Sequence, residues 1–167
     1  MKQICSTMAA FAALRQDGSV VTWGSAVWGG DSSAAADYLQ GDVLHIYASE
    51  RAFAALKLDG SVVTWGAPEW GGDSEAVQDQ LRSGIHHIYS TSSAFAAVSN
   101  TGSVVTWGDA SHGGNCSQVK ERLQSDVRHI CSSSRAFVAF KSDGSVVAWG
   151  DEVTVAHQLR AVGISGS

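Results

Sequence analysis

The sequence predicts a mainly β fold, a propeller-like array of four repeated units with three antiparallel strands and a short helix in each. Three observations lead to this prediction. A unit of 42 residues recurs along the 167-residue chain, in units 1–42, 43–84, 85–126 and 127–167. Each unit contains three short apolar segments separated by turn residues, and a Gly-rich stretch with a helically spaced segment then ends the unit. We therefore expect a single repeat domain over residues 1–167.

The strands are clearest in the second unit. Val43 to Ser49 and Ala52 to Leu56 are the first two, and the second is apolar on both faces and rich in alanine, which is typical of closely packed sheets. Ser61 to Trp65 follows a turn at Asp59-Gly60, where glycine tolerates the positive φ of a tight hairpin. The tryptophan suits a seam between two sheets. The turn glycine and the tryptophan recur in the other units, as Gly18, Gly102 and Gly144 and as Trp23, Trp107 and Trp149.

The helix is predicted after the Gly71-Gly72 pair. Asp73 or Ser74 can cap it by accepting a hydrogen bond from a free backbone amide. The spacing of the residues that follow is helical, at Ala76, Val77, Gln80 and Leu81. The fourth unit lacks the Trp-Gly-Gly-Asp-Ser stretch and retains only a shortened segment, Val155 to Leu159. Terminal repeats of an array are often atypical in this way.

Composition removes several classes of function. A hydrophobic content of 44% is enough for one core, and a formal net charge of −5 without a run of Lys or Arg is unlike a nucleic-acid binder. No apolar run approaches membrane length, and Met1 to Ile4 leads directly into the first repeat without a signal peptide, so we expect a cytoplasmic protein. Three cysteines do not make a disulfide framework. No cofactor is implied.

The segment Asp59 to Gly66, Asp-Gly-Ser-Val-Val-Thr-Trp-Gly, resembles the repeat of the regulator-of-chromosome-condensation family of β-propellers. The likeness covers essentially the whole chain. It implies a rigid binding surface without chemistry of its own, because members of that family act as exchange factors for a small GTPase, as chromatin binders or as interaction modules. This chain departs from the family in its shorter unit, in a helix where an outer strand is expected, and in having four units where that family closes a ring with seven. No functional residue is carried over.

Apolar faces at the two ends of the array require an arrangement that covers them. Four units allow a closed four-bladed ring, or a homodimer in which each chain supplies half of an eight-bladed ring. A β-trefoil matches the repeat length but needs three units and has no helix. Cys5 and Cys131 share one repeat position and would be neighbours where a four-unit ring closes, whereas Cys116 lies unpaired in a loop. We expect reduced thiols, because nothing in the sequence indicates an oxidising compartment.

One repeat position suggests a metal site. His45, His87 and His129 occupy it in three units and Gln3 in the first. Equivalent positions converge near a ring axis, where three imidazoles would suit a divalent transition metal. The alternative is that these histidines lie on a solvated strand face.

A second position suggests a sugar site. An aromatic ring precedes the Gly-Gly pair, and a carboxylate or amide follows it, a combination that can cover the C–H face of a sugar and bind its hydroxyls. The residues are Trp28, Trp70 and His112 with Asp31, Asp73 and Asn115. Repetition would make such binding multivalent. The same residues also have a structural explanation, as a turn, a helix cap and the packing of that helix.

The third candidate surface is a rim of loops between the first and second strands, where the sequence varies from unit to unit. Arg51 and Arg135 are the anchors that we expect there for a protein partner. No nucleophile elbow, phosphate-binding loop or catalytic carboxylate pair is present. The sequence therefore favours a non-catalytic scaffold that binds protein through rim loops, ahead of a multivalent lectin-like propeller, and ahead of a metal-dependent enzyme with a central histidine site.

Overall fold

Twelve strands form four separate sheets in the computed structural model, which describes residues 1–151 and Val155. Each sheet is an antiparallel meander of three consecutive strands, so each repeat builds one blade. The strands are β1 (Gln3–Ser6), β2 (Ala10–Leu14) and β3 (Val20–Gly24) in blade 1; β4 (Val43–Ala48), β5 (Ala52–Lys57) and β6 (Val62–Gly66) in blade 2; β7 (Ile85–Ser90), β8 (Ala94–Ser99) and β9 (Val104–Gly108) in blade 3; and β10 (Val127–Ser132), β11 (Ala136–Lys141) and β12 (Val146–Gly150) in blade 4. The predicted four-bladed, mainly β arrangement is confirmed.

The segment after each third strand differs from the single helix predicted. In each of the first three units it forms two short 3₁₀ helices, at Ala26–Trp28 and Ser33–Tyr38, at Pro68–Trp70 and Glu75–Leu81, and at Ala110–His112 and Ser117–Leu123. The tighter 3₁₀ geometry is usual for short connecting pieces. The shortened segment predicted at 155–159 lies outside the described residues except for Val155, whose N–H donates to the carbonyl of Asp151 at 2.9 Å.

Ser74 is the N-cap residue of the helix Glu75–Leu81, but its side chain makes no capping hydrogen bond, and Asp73 precedes the cap in a turn. Asp73 Oδ1 accepts a hydrogen bond from the backbone N–H of Glu75 at 2.9 Å, whereas the Ser74 hydroxyl pairs with that of Thr64 at 2.9 Å. Leu81 then anchors the helix by burying its whole side chain. The predicted apolar spacing of this helix is therefore correct at its most buried position, although the helix type is not.

Alanines allow the blades to pack closely. In β5, Phe53 lies opposite Trp65 and Ala55 opposite Val63 on the face that packs against blade 1, while Ala52, Ala54 and Leu56 pack against blade 3. These alanines are completely buried, as expected for a strand that is covered on both faces. The core consists of three such layers, one between each pair of successive blades.

The strand-ending tryptophans join the blades. Trp65 Nε1 donates to the carbonyl of Gly29 in the preceding blade at 3.1 Å, and the indole ring stacks on Phe53. The same bond recurs at the next two seams, from Trp107 to Gly71 and from Trp149 to Gly113, each at 3.1 Å. The prediction that these tryptophans occupy seams is confirmed. The first glycine of each Gly-Gly pair is thus part of the seam.

Blade 1 keeps one face open within the described residues. Phe11 and Trp23 are stacked as their counterparts are, yet they are 43% and 45% exposed, whereas Phe53 is fully buried and Trp65 is 4% exposed. Ile4 lies on the same face and is also exposed, because none of the described residues packs over it. Packing in residues 1–151 joins blades 1 and 2, 2 and 3, and 3 and 4. The closed four-bladed ring is therefore not formed by these residues, because it would cover this face.

Replacing the two equivalent phenylalanines tests this open end. Phe53→Ala is expected to lower the free energy of unfolding by about 3–5 kcal/mol, because it leaves a cavity in a closed seam. Phe11→Ala is expected to cause a much smaller loss, because this ring already contacts water. Urea unfolding of both variants measures the difference. Equal losses would mean that another surface covers Phe11 in solution.

A second pair of variants tests the seam glycine. A Cβ added at Gly29 would lie 2.5 Å from Cδ2 of Phe53, and its φ of +97° is unfavourable for any other residue. Gly29→Ala should lower the free energy of unfolding by more than about 2 kcal/mol. The control is Gly41→Ala, where the added Cβ meets no atom within 4 Å. Similar thermal unfolding of both variants would contradict the proposed role of Gly29.

Candidate protein-binding rim

Two sets of loops lie at the same end of the blades, because each blade is an antiparallel meander. The first set connects the first two strands of each blade, and the second follows the third strand. We call this surface the variable rim, and it comprises residues 7–9, 49–51, 91–93 and 133–135 together with Trp28, Trp70 and His112. The three loop aromatics and both predicted arginine anchors therefore belong to one surface.

Hydroxyl side chains join the two sets of loops within each blade. The Thr7 hydroxyl donates to the carbonyl of Trp28 at 3.2 Å, the Ser49 hydroxyl to that of Trp70 at 2.8 Å, and the Thr91 hydroxyl to that of His112 at 2.9 Å. No role for these hydroxyls was predicted from the sequence. The pattern that could have indicated one is a Ser or Thr at the same position in all four units. Each bond fixes the loop that carries an aromatic residue.

Backbone bonds join the rim from blade to blade. The N–H of Met8 donates to the carbonyl of Glu50 at 2.8 Å, that of Glu50 to Ser92 at 2.9 Å, and that of Ser92 to Ser134 at 3.0 Å. Three different residue types are involved, since Ser92 and Ser134 are alike, yet the bonds repeat from blade to blade. Because the backbone makes these bonds, the side chains at this position can vary without disturbing the loops.

Arg51 brings two of the predicted sites together. Its guanidinium carbon lies 4.6 Å from the centroid of the Trp28 ring and 4.2 Å from that of the Trp70 ring. Trp28 belongs to blade 1 and the other two residues to blade 2, so the group spans their seam. We call these three side chains the Arg51 clamp. A cation held over the faces of two indoles gains from both ring quadrupoles.

The clamp leaves Arg51 incompletely bonded. Its Nε is buried and has no hydrogen-bond partner in the described part of the chain. The two ion pairs found among the described residues are Arg82 with Asp79 and His112 with Asp109, so neither neutralises Arg51. The guanidinium is thus positioned by aromatic contacts while its charge lacks a counter-ion.

The clamp is not repeated at the other seams that the structure describes. Ser93 occupies the arginine position in blade 3 and is buried, so no cation lies between Trp70 and His112. Arg135 occupies the position in blade 4 and is exposed. His112, which would be its neighbour from the preceding blade, instead pairs with Asp109 at 3.1 Å. The Ser111 hydroxyl and, secondarily, His112 hold the pKa of the Asp109 carboxyl below its usual value.

The polar residues predicted to bind sugar hydroxyls are engaged in turns. Asp31, Asp73 and Asn115 are exposed, and the Oδ1 of each accepts a bond of 2.9 Å from a backbone N–H two residues later. The bonds from Ser33 lower the pKa of Asp31. In addition, the Arg51 guanidinium lies over the Trp28 and Trp70 rings, on which a sugar would have to stack. These observations agree with the structural explanation of the Trp-Gly-Gly-Asp stretch, and the sugar site remains a prediction.

The three central histidines line neighbouring inner strands without meeting. Tyrosine rings lie between them, with the Tyr47 centroid 5.4 Å from that of His87 and the Tyr89 centroid 5.5 Å from that of His129. Across the described residues, no three His, Cys, Asp or Glu side chains are grouped as metal ligands. The metal centre predicted at His45, His87 and His129 is therefore not assembled there, because aromatic side chains separate the imidazoles.

At the first seam, Gln3 occupies the repeat position of these histidines and joins blade 1 to blade 2. Its side-chain amide donates to the carbonyl of Ile46 at 2.7 Å and accepts from the N–H of Ile46 at 2.9 Å. Beside it, the Cys5 thiol donates to the same carbonyl at 3.2 Å, and burial raises its pKa. The three cysteines are free, and Cys131 is exposed rather than partly buried. The inner strands thus join blades through side chains.

The described residues contain no helix long and apolar enough to cross a membrane. They form a rim whose loops are joined by hydrogen bonds within and between blades, and neither Arg51 nor Arg135 on it forms an ion pair with these residues.

No protein-family model matches the sequence, and no curated protein matches it. Similarity appears in solved structures. Yeast RCC1 (Prp20), solved with Kap60 bound, matches with a TM-score of 0.61 at 16% identity over 89% of this chain and 43% of that chain. Prp20p from Saccharomyces cerevisiae, described together with its binding to Gsp1p and histones, matches with a TM-score of 0.61 at 17% identity over 89% and 44%. Human WBSCR16 matches with a TM-score of 0.55 at 17% identity over 89% and 47%.

The chain has an RCC1-like propeller fold. This confirms, at the level of the fold, the resemblance found in the Asp-Gly-Ser-Val-Val-Thr-Trp-Gly segment. The chain spans less than half the length of each of these proteins. At such low identity the likeness describes the arrangement of blades and transfers no residue or partner.

The inner strands give a prediction about pH. Burial, followed by the charges of His86, His45 and His129, lowers the pKa of His87. The unfolded chain therefore takes up this proton at a higher pH than the folded chain, so stability is greatest above about pH 6.5 and falls as the pH drops below it. In His87→Gln, stability should fall less steeply as the pH decreases. Urea unfolding midpoints measured across the acid range test this prediction. The same dependence of the midpoint on pH in both proteins would contradict it.

Proposed function

We propose that this protein is a non-catalytic scaffold that binds other proteins through the variable rim. The observation that carries the proposal is the contrast between backbone and side chains on this surface. The loops repeat one hydrogen-bonding pattern from blade to blade, while the side chain at the repeated position changes from Met8 to Glu50 and then to a serine at Ser92 and Ser134. Variable side chains on a rigid frame are typical of a binding surface.

The composition of the rim suits a protein partner. Trp and Arg are the residue types most often found at the energetic centres of protein interfaces. They lie together here in the Arg51 clamp, half-buried and already ordered. A preformed anchor loses little side-chain entropy on binding. The rim also surrounds an open depression of about 420 Å³ that is lined largely by Ser and Thr hydroxyls from all four blades.

The similar structures support this class of function. The Prp20 structures are described with protein partners, namely Kap60, Gsp1p and histones. Those partners are facts about Prp20. They support the proposal because a protein with a similar arrangement of blades recognises other proteins.

The test uses a phage-displayed library of random linear peptides as the probe. Selection is run on the unaltered protein and on a rim variant that combines Arg51→Ala with Trp70→Ala. The control is Arg15→Ala, which removes the same charge from an exposed turn at the opposite end of blade 1. We expect enrichment of peptides on the unaltered protein and the control, and loss of that enrichment on the rim variant.

Two results would overturn the proposal. One is equal enrichment on the rim variant and the unaltered protein. The other is failure to enrich peptides combined with retention on immobilised glycans that is lost in Trp28→Ala and Trp70→Ala. Circular dichroism of the rim variant confirms that a lost signal does not arise from unfolding.

A further inference from the structure

We propose that the Arg51 clamp is a carboxylate-binding site, which takes an Asp or Glu side chain or the C-terminal carboxylate of a partner protein. This inference rests on the proposed protein-binding function and names the chemistry of its anchor. Three features of the described structure carry it: the uncompensated charge of Arg51, the direction from which a ligand can approach it, and the poorer fit of other ligands.

The first feature is an uncompensated charge. The guanidinium is half-buried between Trp28 and Trp70, and in the described residues it forms no ion pair. Removing a cation from water without a counter-ion is costly, and contact with two indole faces offsets only part of that cost. A bound anion would supply the missing counter-charge. The net charge of −5 on the whole chain does not alter this local requirement.

The second feature is the direction from which a ligand can approach. Arg51 Nε is buried and unpartnered, so a ligand cannot reach it while the clamp is closed. Both indole rings lie against the guanidinium, whose central carbon is 4.6 Å from the Trp28 centroid and 4.2 Å from the Trp70 centroid. The terminal Nη groups remain, and two parallel N–H donors match the two oxygens of a carboxylate. The clamp therefore favours a planar anion approaching end-on.

The third feature is that the other possible ligands fit less well. A cationic ligand would need the space between Trp28 and Trp70, and Arg51 fills that space. A sugar would need the ring faces that Arg51 contacts. Neither ligand would supply the missing counter-charge.

The repeat provides a matched control residue. Arg135 lies at the same repeat position as Arg51, but it is exposed, and the aromatic neighbour expected from the preceding blade is His112, which is paired with Asp109. Both arginines carry the same charge in equivalent loops. A difference between Arg51→Ala and Arg135→Ala therefore reports the clamp rather than net charge.

The experiment measures binding of synthetic peptides by quenching of tryptophan fluorescence. The probes are a Glu-Gly repeat peptide with an amidated C-terminus, its Gln-Gly counterpart with an amidated C-terminus, and the Gln-Gly peptide with a free C-terminus. The proteins are the unaltered chain, Arg51→Ala, Arg51→Lys and Arg135→Ala. Arg51→Lys retains the charge but removes the paired donors.

We expect the unaltered protein and Arg135→Ala to bind at least one carboxylate-bearing peptide and not the amidated Gln-Gly peptide. Affinity should fall roughly tenfold or more in Arg51→Ala, with a partial loss in Arg51→Lys. Binding of the Glu-Gly peptide identifies a side-chain carboxylate, and binding of only the free-ended Gln-Gly peptide identifies a C-terminus.

Three results would overturn the proposed carboxylate site. They are equal binding of the amidated Gln-Gly peptide, an equal loss of affinity in Arg135→Ala, and no binding of any carboxylate-bearing peptide. If the peptide selection succeeds while any of these is observed, the protein-binding rim stands and only the assignment of the clamp fails. Urea unfolding of Arg51→Ala separates a purely structural clamp, which would change stability without changing binding.

Discussion

The contact between a strand-ending tryptophan and a glycine of the preceding blade is the interaction on which the structure depends. Trp65 donates its indole N–H to Gly29 while Phe53 packs where a glycine Cβ would lie, and the same arrangement recurs at the next two seams. At each of these seams, two aromatic rings are therefore buried and the buried indole N–H has a hydrogen-bond partner. This pairing brings the sheets close enough for the alanine strands to pack, and it fixes each blade relative to its neighbour.

The same contact positions the functional surface. Each Gly-Gly pair that receives a tryptophan also follows the loop aromatic, so the seam determines where Trp28 and Trp70 lie. Arg51 enters between them from the loop of the second blade. The residues proposed to bind a partner and the structural glycines are thus neighbours in sequence but act in different ways. The glycines fix the backbone, while the side chains beside them differ from unit to unit and are free to specify a ligand.

The local features of the fold were predictable because they are encoded within one unit. The turn glycine, the β-branched strand and the aspartate before the helix each act over a few residues, and Asp73 accepts a hydrogen bond from a free backbone amide as expected. The Arg51 clamp was not predictable, since Arg51 and Trp28 come from different units and meet only across a seam. Closure was not predictable either, because it depends on the angle between blades. Phe11 and Trp23, which are 43% and 45% exposed, show that the described residues leave the first face open.

Hydrogen exchange of the indole N–H groups, followed by NMR, tests the seam contact most directly. The account predicts slow exchange for Trp65, Trp107 and Trp149, whose indoles donate to a glycine of the preceding blade. It predicts fast exchange for Trp23, which is 45% exposed and is not covered by a second blade within the described residues. Equal exchange at all four indoles would contradict the account, because it would mean either that the three seams are open or that the first face is covered.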